Sequence, residues 1–213
     1  MSQGSVLRRP LRYQYYNATV ALIIVNVVLF LLRYFVPQIL LYLALTPVLV
    51  VQSHAWWQVV TYMFLHGGTW HLLINMLGLY MFGVPLERRL GSSEFLLFYF
   101  VTGIGAGLCT LVVYWFTGSA LTHVVGASGA ILAVLLAFAA YFPDTRILFM
   151  LIIPMRAPVA VLVFAAATLF FLFTGINRGV ANLTHLAGLV FGYLYLLVRL
   201  GINPARVFFR RRW

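Results

Sequence analysis

Six apolar runs constrain this chain more than any other feature. They fall at about 17–36, 69–86, 95–116, 124–142, 157–174 and 182–200. Each is nearly free of charge and has the length, about 17–25 residues, that predicts a transmembrane helix. Composition agrees: 64% of the 213 residues are hydrophobic and 8% are charged, against about 45–50% and about 25% in soluble domains. The predicted fold is an all-α membrane protein with a six-transmembrane-helix bundle. The gaps between runs are too short for a second domain. Arg8, Arg9 and Arg12 before the first run suggest a signal peptide. No small-x-small cleavage site follows, however, and Arg33, Tyr34 and Pro37 succeed the run, so it reads as a retained span. The single cysteine, Cys109, excludes an internal disulfide and a cysteine-built metal cluster.

A net charge of +11 raises the question of nucleic acid. All fourteen basic residues are arginines scattered along the chain, and the aromatics sit in apolar runs. Membrane orientation accounts for that pattern, and nucleic acid is not an expected partner. With the amino terminus inside, Arg33 and Arg178 lie outside and the other twelve arginines inside. Six spans then leave both termini cytoplasmic. The expected organisation is a basic tail at 1–16, a six-span domain at 17–200 and a second basic tail at 201–213. The longest connection, 37–68, is apolar from Ile39 to Val51 and continues with Trp56, Trp57 and Tyr62. It reads as an interfacial or re-entrant segment.

Polar side chains inside a bilayer are costly and default to functional candidates. His71 and Asn75 are four residues apart and share one helix face. Ser128 stands in Gly126-Ala127-Ser128-Gly129, and His185 precedes Gly188 and Gly192. Spans two, four and six all run from outside to inside, so these four side chains lie at similar depth near the outer surface. Gly129, Ala133 and Ala137 on span four, with Gly188 and Gly192 on span six, let the two helices approach closely. That contact would bring His185 within reach of Ser128, as an activated nucleophile requires.

The acids narrow the chemistry. Glu87, Glu94 and Asp144 are the only three, and all fall on the inner side in this topology. An aspartyl protease needs two embedded aspartates, a zinc protease of the HExxH kind needs an absent motif, and a Ser-His-Asp triad lacks its acid. A Ser-His dyad remains. Blander readings stand beside it. Ser128 could be a packing serine, His185 an interhelical hydrogen-bonding residue, and His71 and Asn75 helix-start caps. His66 with His71 as a metal pair lacks an accompanying acid or cysteine. The run Gly103-Ile104-Gly105-Ala106-Gly107 reads as helix packing, not a nucleotide loop.

Taken together these residues resemble the rhomboid family of intramembrane serine proteases over about 17–200. The matching stretches are His66-Gly67-Gly68-Thr69-Trp70-His71-Leu72-Leu73-Ile74-Asn75, Gly126-Ala127-Ser128-Gly129, and His185-Leu186-Ala187-Gly188 with Gly192. The resemblance implies a rhomboid-like bundle with Ser128 as nucleophile and His185 as general base. His71, Asn75 and the start of span four at Gly129 would stabilise the oxyanion, with no cofactor and no metal. It further implies an endopeptidase that cuts transmembrane protein substrates near their outer end. Its setting would be the lipid bilayer, as a multi-pass protein of a prokaryotic inner or plasma membrane. Span five, with Phe170, Phe171 and Phe173, and the loop near Gly67 are the implied gates. Two positions depart from many members: Gln58 follows Trp57 where an arginine is common, and Leu132 replaces an aromatic on which the histidine stacks. The rival class is a non-catalytic rhomboid-like adaptor, which typically loses the serine or the histidine; both are present here. A transporter would need paired charges at mid-membrane, and the sequence has none there.

Overall fold

A computed structural model of the chain describes residues 11–149, 152–175 and 182–209. The arginines at 8, 9, 178 and 210–212, which count toward the expected orientation, lie outside the described residues. The chain is mostly helical. In order it forms α1 (Ala18–Phe35), three short helices α2 (Ile39–Leu43), α3 (Pro47–Gln52) and α4 (Gln58–Thr61), then α5 (Thr69–Leu90) and α6 (Ser92–Phe116). α7 (Ser128–Tyr141) leads into a two-stranded antiparallel sheet of β1 (Arg146–Phe149) and β2 (Ile153–Arg156). α8 (Ala157–Thr174), α9 (Asn182–Val198) and α10 (Pro204–Phe208) complete it.

Among the described residues four helices, α1, α5, α6 and α8, are long and apolar enough to cross a membrane. α7 and α9 are apolar but shorter, at 14 and 17 residues. The expected span at 124–142 thus begins as helix only at Ser128. The residues just before it are extended: Val124 bridges to Leu45 and Gly126 donates to the Tyr62 carbonyl. Non-helical backbone at membrane depth is tolerated where protein buries it, and here the 37–68 segment does so. α5 runs four residues past the expected end and carries a π-helical turn, Leu79–Gly83. That wider turn falls just before Pro85, which has no N–H to give the ladder.

α7 is the centre of the bundle. Every residue from Gly129 to Ala140 is buried, which is where a helix apolar all round belongs. α5, α6, α8 and α9 surround it. The glycines of α6 serve packing, as expected: Gly105 meets the Phe191 ring, while Gly103 and Gly107 meet Met63 and Tyr62.

Two acids tie the bundle together at the end away from Ser128. Glu87 accepts the Ala18 and Thr19 N–H groups at 2.6 and 2.9 Å, capping α1 from a different helix. A negative charge there also complements the helix dipole. Glu94 is paired with Arg199, just past the end of α9, at 2.6 Å and accepts from the Tyr195 hydroxyl and the Leu11 N–H. Residues 11–16 are docked rather than loose: Ser92 donates its N–H to the Gln14 carbonyl, and Tyr16 donates to the Ser92 hydroxyl.

The 37–68 segment is packed, with Tyr62, Met63 and Leu65 fully buried and Trp56 and Trp57 exposed. Gln58 organises it. Its Oε1 accepts the Thr46 N–H at 3.0 Å, and its Nε2 donates to the carbonyls of Leu41 and Tyr42 at 3.3 and 3.2 Å. At the position where the resemblance implies arginine, a buried amide therefore holds three backbone groups.

Candidate active site

The start of α7 is prepared by its sequence. Gly126 has φ +122, a conformation that L side chains rarely adopt. It turns the chain so that Ser128 is the first residue of the helix. The first intrahelical bond runs from the Ile131 N–H to the Ala127 carbonyl. The N–H groups of Ser128, Gly129 and Ala130 thus precede the ladder and remain available as donors.

α9 approaches from the side. Gly188 lies against the Gly129 backbone and Gly192 against Ala133. His185, one turn before Gly188, places its Nε2 2.6 Å from the Ser128 Oγ. Behind it, the hydroxyls of Thr184 and Thr110 are 2.8 Å apart, and Thr110 donates to the Ala106 carbonyl, which fastens the first turn of α9 to α6.

His71 comes from the first turn of α5 and faces the same spot. A Cβ on Gly126 would fall 2.8 Å from the His71 Cε1 and Nε2, and 3.7 Å from the Ser128 Oγ. Glycine at 126 therefore makes room for an imidazole edge beside the serine hydroxyl. Asn75 is buried and donates its Nδ2 to the His71 carbonyl at 3.0 Å; it makes no hydrogen bond to Ser128 or His185. His66 is buried, with its ring centroid 5.0 Å from that of His71. Burial, with His71 and Arg33 adding to it, pushes the His66 imidazole down to about 3, so it is neutral. Arg33 donates to the His66 carbonyl and its guanidinium lies 4.0 Å from the centroid of the Phe30 ring.

The arrangement can do acyl-transfer chemistry: a hydroxyl bonded to an imidazole, helix-start N–H groups beside it, and a second imidazole opposite. Among the described residues no carboxylate hydrogen-bonds to His185, and no group of three or more potential metal ligands occurs. Leu132, one turn into α7, is buried. Phe170 and Phe173 on α8 are exposed. An apolar groove of about 330 Å³ between α8, α9 and α10 lies away from the serine. Sequence reasoning missed Gln58 as an organiser, Arg33 as a clamp on the loop before α5, and Thr110 behind the histidine. The departure at Gln58 was the one visible sign of the first.

A family model described as the Rhomboid domain matches residues 53–202. The putative rhomboid protease YdcA of Bacillus subtilis is 34% identical over 145 residues, covering 68% of this chain and 67% of that protein. The rhomboid protease AarA of Providencia stuartii is 32% identical over 166 residues, covering 67% of this chain and 57% of that one. RHOMBOID-like protein 1 of Arabidopsis thaliana is 32% identical over 169 residues, covering 79% of this chain and 41% of its own length. The matched region thus spans between about two fifths and two thirds of these curated relatives.

Proposed function

The chain belongs to the rhomboid family, and from that premise we propose that it is an intramembrane serine endopeptidase working through a dyad of Ser128 and His185. The observation that carries this reading is the 2.6 Å approach of His185 Nε2 to Ser128 Oγ. His185 accepts the hydroxyl proton as Oγ bonds to the scissile carbonyl carbon. The carbonyl oxygen becomes an oxyanion, which the N–H groups at the start of α7, Gly129 among them, together with His71 and Asn75 stabilise. Collapse expels the amine, which takes the proton from His185 and leaves an acyl-enzyme. Water, deprotonated by the same imidazole, then attacks the ester carbonyl carbon, and the C–Oγ bond breaks as Oγ takes the proton back from His185, releasing the acid.

The protein is a multi-pass integral membrane protein. The finer topology is part of the proposal: six spans within 17–200, tails at 1–16 and 201–213, and both termini cytoplasmic. The arginine distribution supports it. The amino-terminal turns of α5, α7 and α9 share one end of the bundle, as spans two, four and six would in this topology, and the proposal takes that end as the outer one. Substrates are membrane-spanning segments of other proteins, cut near their outer end. The exposed Phe170 and Phe173 on α8 lie on the route by which a substrate helix would enter. Relatives come from bacteria, from Arabidopsis and from yeast mitochondria. Kinship is thus as compatible with an organelle as with the prokaryotic inner or plasma membrane that the sequence suggests.

The test is labelling and cleavage together. The purified chain in detergent should react with a fluorophosphonate at Ser128, located by peptide mass spectrometry. It should also cleave a fluorogenic transmembrane peptide, and Ser128→Ala should do neither. A Ser128→Ala protein that still cleaves would overturn the proposal.

A further inference from the structure

Between α7 and α8, at the end of the bundle opposite Ser128, the chain turns back through the β1–β2 hairpin. Its register sets Arg146 directly opposite Arg156 and Leu148 directly opposite Pro154. Period-two alternation puts these four side chains on one face. The other face holds Ile147, which is buried, and Met155, which packs on the core. The outward face is therefore amphipathic along its length, with two guanidinium groups at the base and two apolar side chains toward the turn. Leu148 is 52% exposed, and Ile152, at 78%, extends the apolar surface toward the turn.

Like charges directly opposite one another in a sheet repel and destabilise it. Among the described residues neither guanidinium makes a side-chain hydrogen bond or salt bridge. A cationic pair of this kind, next to bare apolar side chains, is complementary to a molecule that is anionic at one end and apolar at the other.

We propose that the hairpin is a binding site for an anionic phospholipid. The phosphate sits between Arg146 and Arg156, and the acyl chains cover Leu148, Pro154 and Ile152. The guanidinium fork matches phosphate oxygens bidentately, and basic segments at a membrane surface are drawn to anionic leaflets. The apolar side chains select a lipid over a free phosphate or an acidic peptide. The inference rests on the helices being membrane-embedded and not on the catalytic assignment.

The experiment is a thermal melt of the full chain in detergent, alone and with phosphatidylglycerol, phosphatidylcholine or inorganic phosphate. It compares the parent, the double variant Arg146→Gln/Arg156→Gln, and Arg206→Gln as a basic residue elsewhere at that end. A ligand that binds only the folded state raises its melting temperature. Without lipid the double variant should melt at or above the parent, because the repulsion is gone. Phosphatidylglycerol should raise the parent and Arg206→Gln by several degrees and the double variant by less than half as much. Phosphatidylcholine and inorganic phosphate should move none of them comparably. An equal gain in the double variant would overturn the proposal, as would a full shift from inorganic phosphate. A double variant that melts well below the parent without lipid would also overturn it, since the arginines would then be structural. Proteolysis is not read, so failure of the dyad would leave this result standing.

Discussion

Gly188 of α9 rests on the backbone of Gly129 so closely that a Cβ on Gly188 would fall 2.9 Å from the Gly129 Cα and nearer still to its carbonyl. Ser128 directly precedes the one residue and His185 lies a turn before the other, so this contact sets the distance between hydroxyl and imidazole. Gly188→Ala must push α9 away from α7. Overpacking of this kind costs about 1–3 kcal/mol, and a displacement near 1 Å at a reacting pair costs about 10²-fold in rate. The expected result is a lower melting temperature together with a turnover loss of about that size per folded molecule. Normal turnover in a folded Gly188→Ala protein would mean that the contact does not position the pair.

His71 and Asn75 stand differently toward the serine. His71 borders the serine directly across Gly126, whereas the Nδ2 of Asn75 is bonded to the His71 carbonyl. Loss of one oxyanion donor costs about 10²–10³ in rate. His71→Ala and Asn75→Ala should each lower kcat and leave KM nearly unchanged, because the donors act mainly in the transition state. A helix-start role alone would reduce thermal stability and spare kcat per folded molecule. Steady-state kinetics and melts on the same preparations decide between the two.

The three acids should matter for folding and not for the chemical step. Glu87 accepts two N–H groups and the Ser92 hydroxyl, and an amide in its place offers one accepting oxygen. Hydrogen bonds to charged groups contribute about 1.5–3 kcal/mol, so Glu87→Gln should melt several degrees lower. Glu94→Gln should do the same through loss of Arg199. Turnover per folded molecule should stay within a few-fold for both, and for Asp144→Asn. A loss of several orders of magnitude in well-folded Asp144→Asn would place a carboxylate in the mechanism.

Gln58→Leu removes the partner of the buried Thr46 N–H and of the part-buried Leu41 carbonyl, while the Tyr42 carbonyl keeps the Trp57 Nε1–H. Leaving one such group unsatisfied costs about 1–3 kcal/mol. The variant should melt markedly lower than the parent and yet keep turnover within a few-fold while folded, since Gln58 makes no hydrogen bond to the site residues. A melting temperature equal to the parent's would remove Gln58 as the organiser of the segment.

Much of this architecture is written in one-dimensional patterns. Apolar runs mark the long helices, and four-residue spacing of Gly129, Ala133, Gly188 and Gly192 foretells the close approach of α7 to α9. The proximity of His185 and Ser128 follows from that spacing and from the common direction of α7 and α9. Features that depend on partners far along the chain are not legible in this way. The cap that Glu87 places on α1 joins residues 69 apart. The shortness of α7 reflects burial of its approach under the 37–68 segment, and no local pattern announces it. The hairpin hides because Ile147 to Ile153 reads as a short apolar stretch, and only the register reveals that Arg146 faces Arg156.

The central claim, that Ser128 and His185 act as one proton-transfer unit without an acid, is tested most directly by a double-variant cycle. Cleavage of a fluorogenic transmembrane peptide would be measured for the parent, Ser128→Ala, His185→Ala and the combined variant in one detergent. Residues that act as a unit are strongly non-additive. Each single variant should therefore fall to the same low residual rate, and the combined variant should be no slower than either. Two partial losses that multiply in the combined variant would contradict a shared unit.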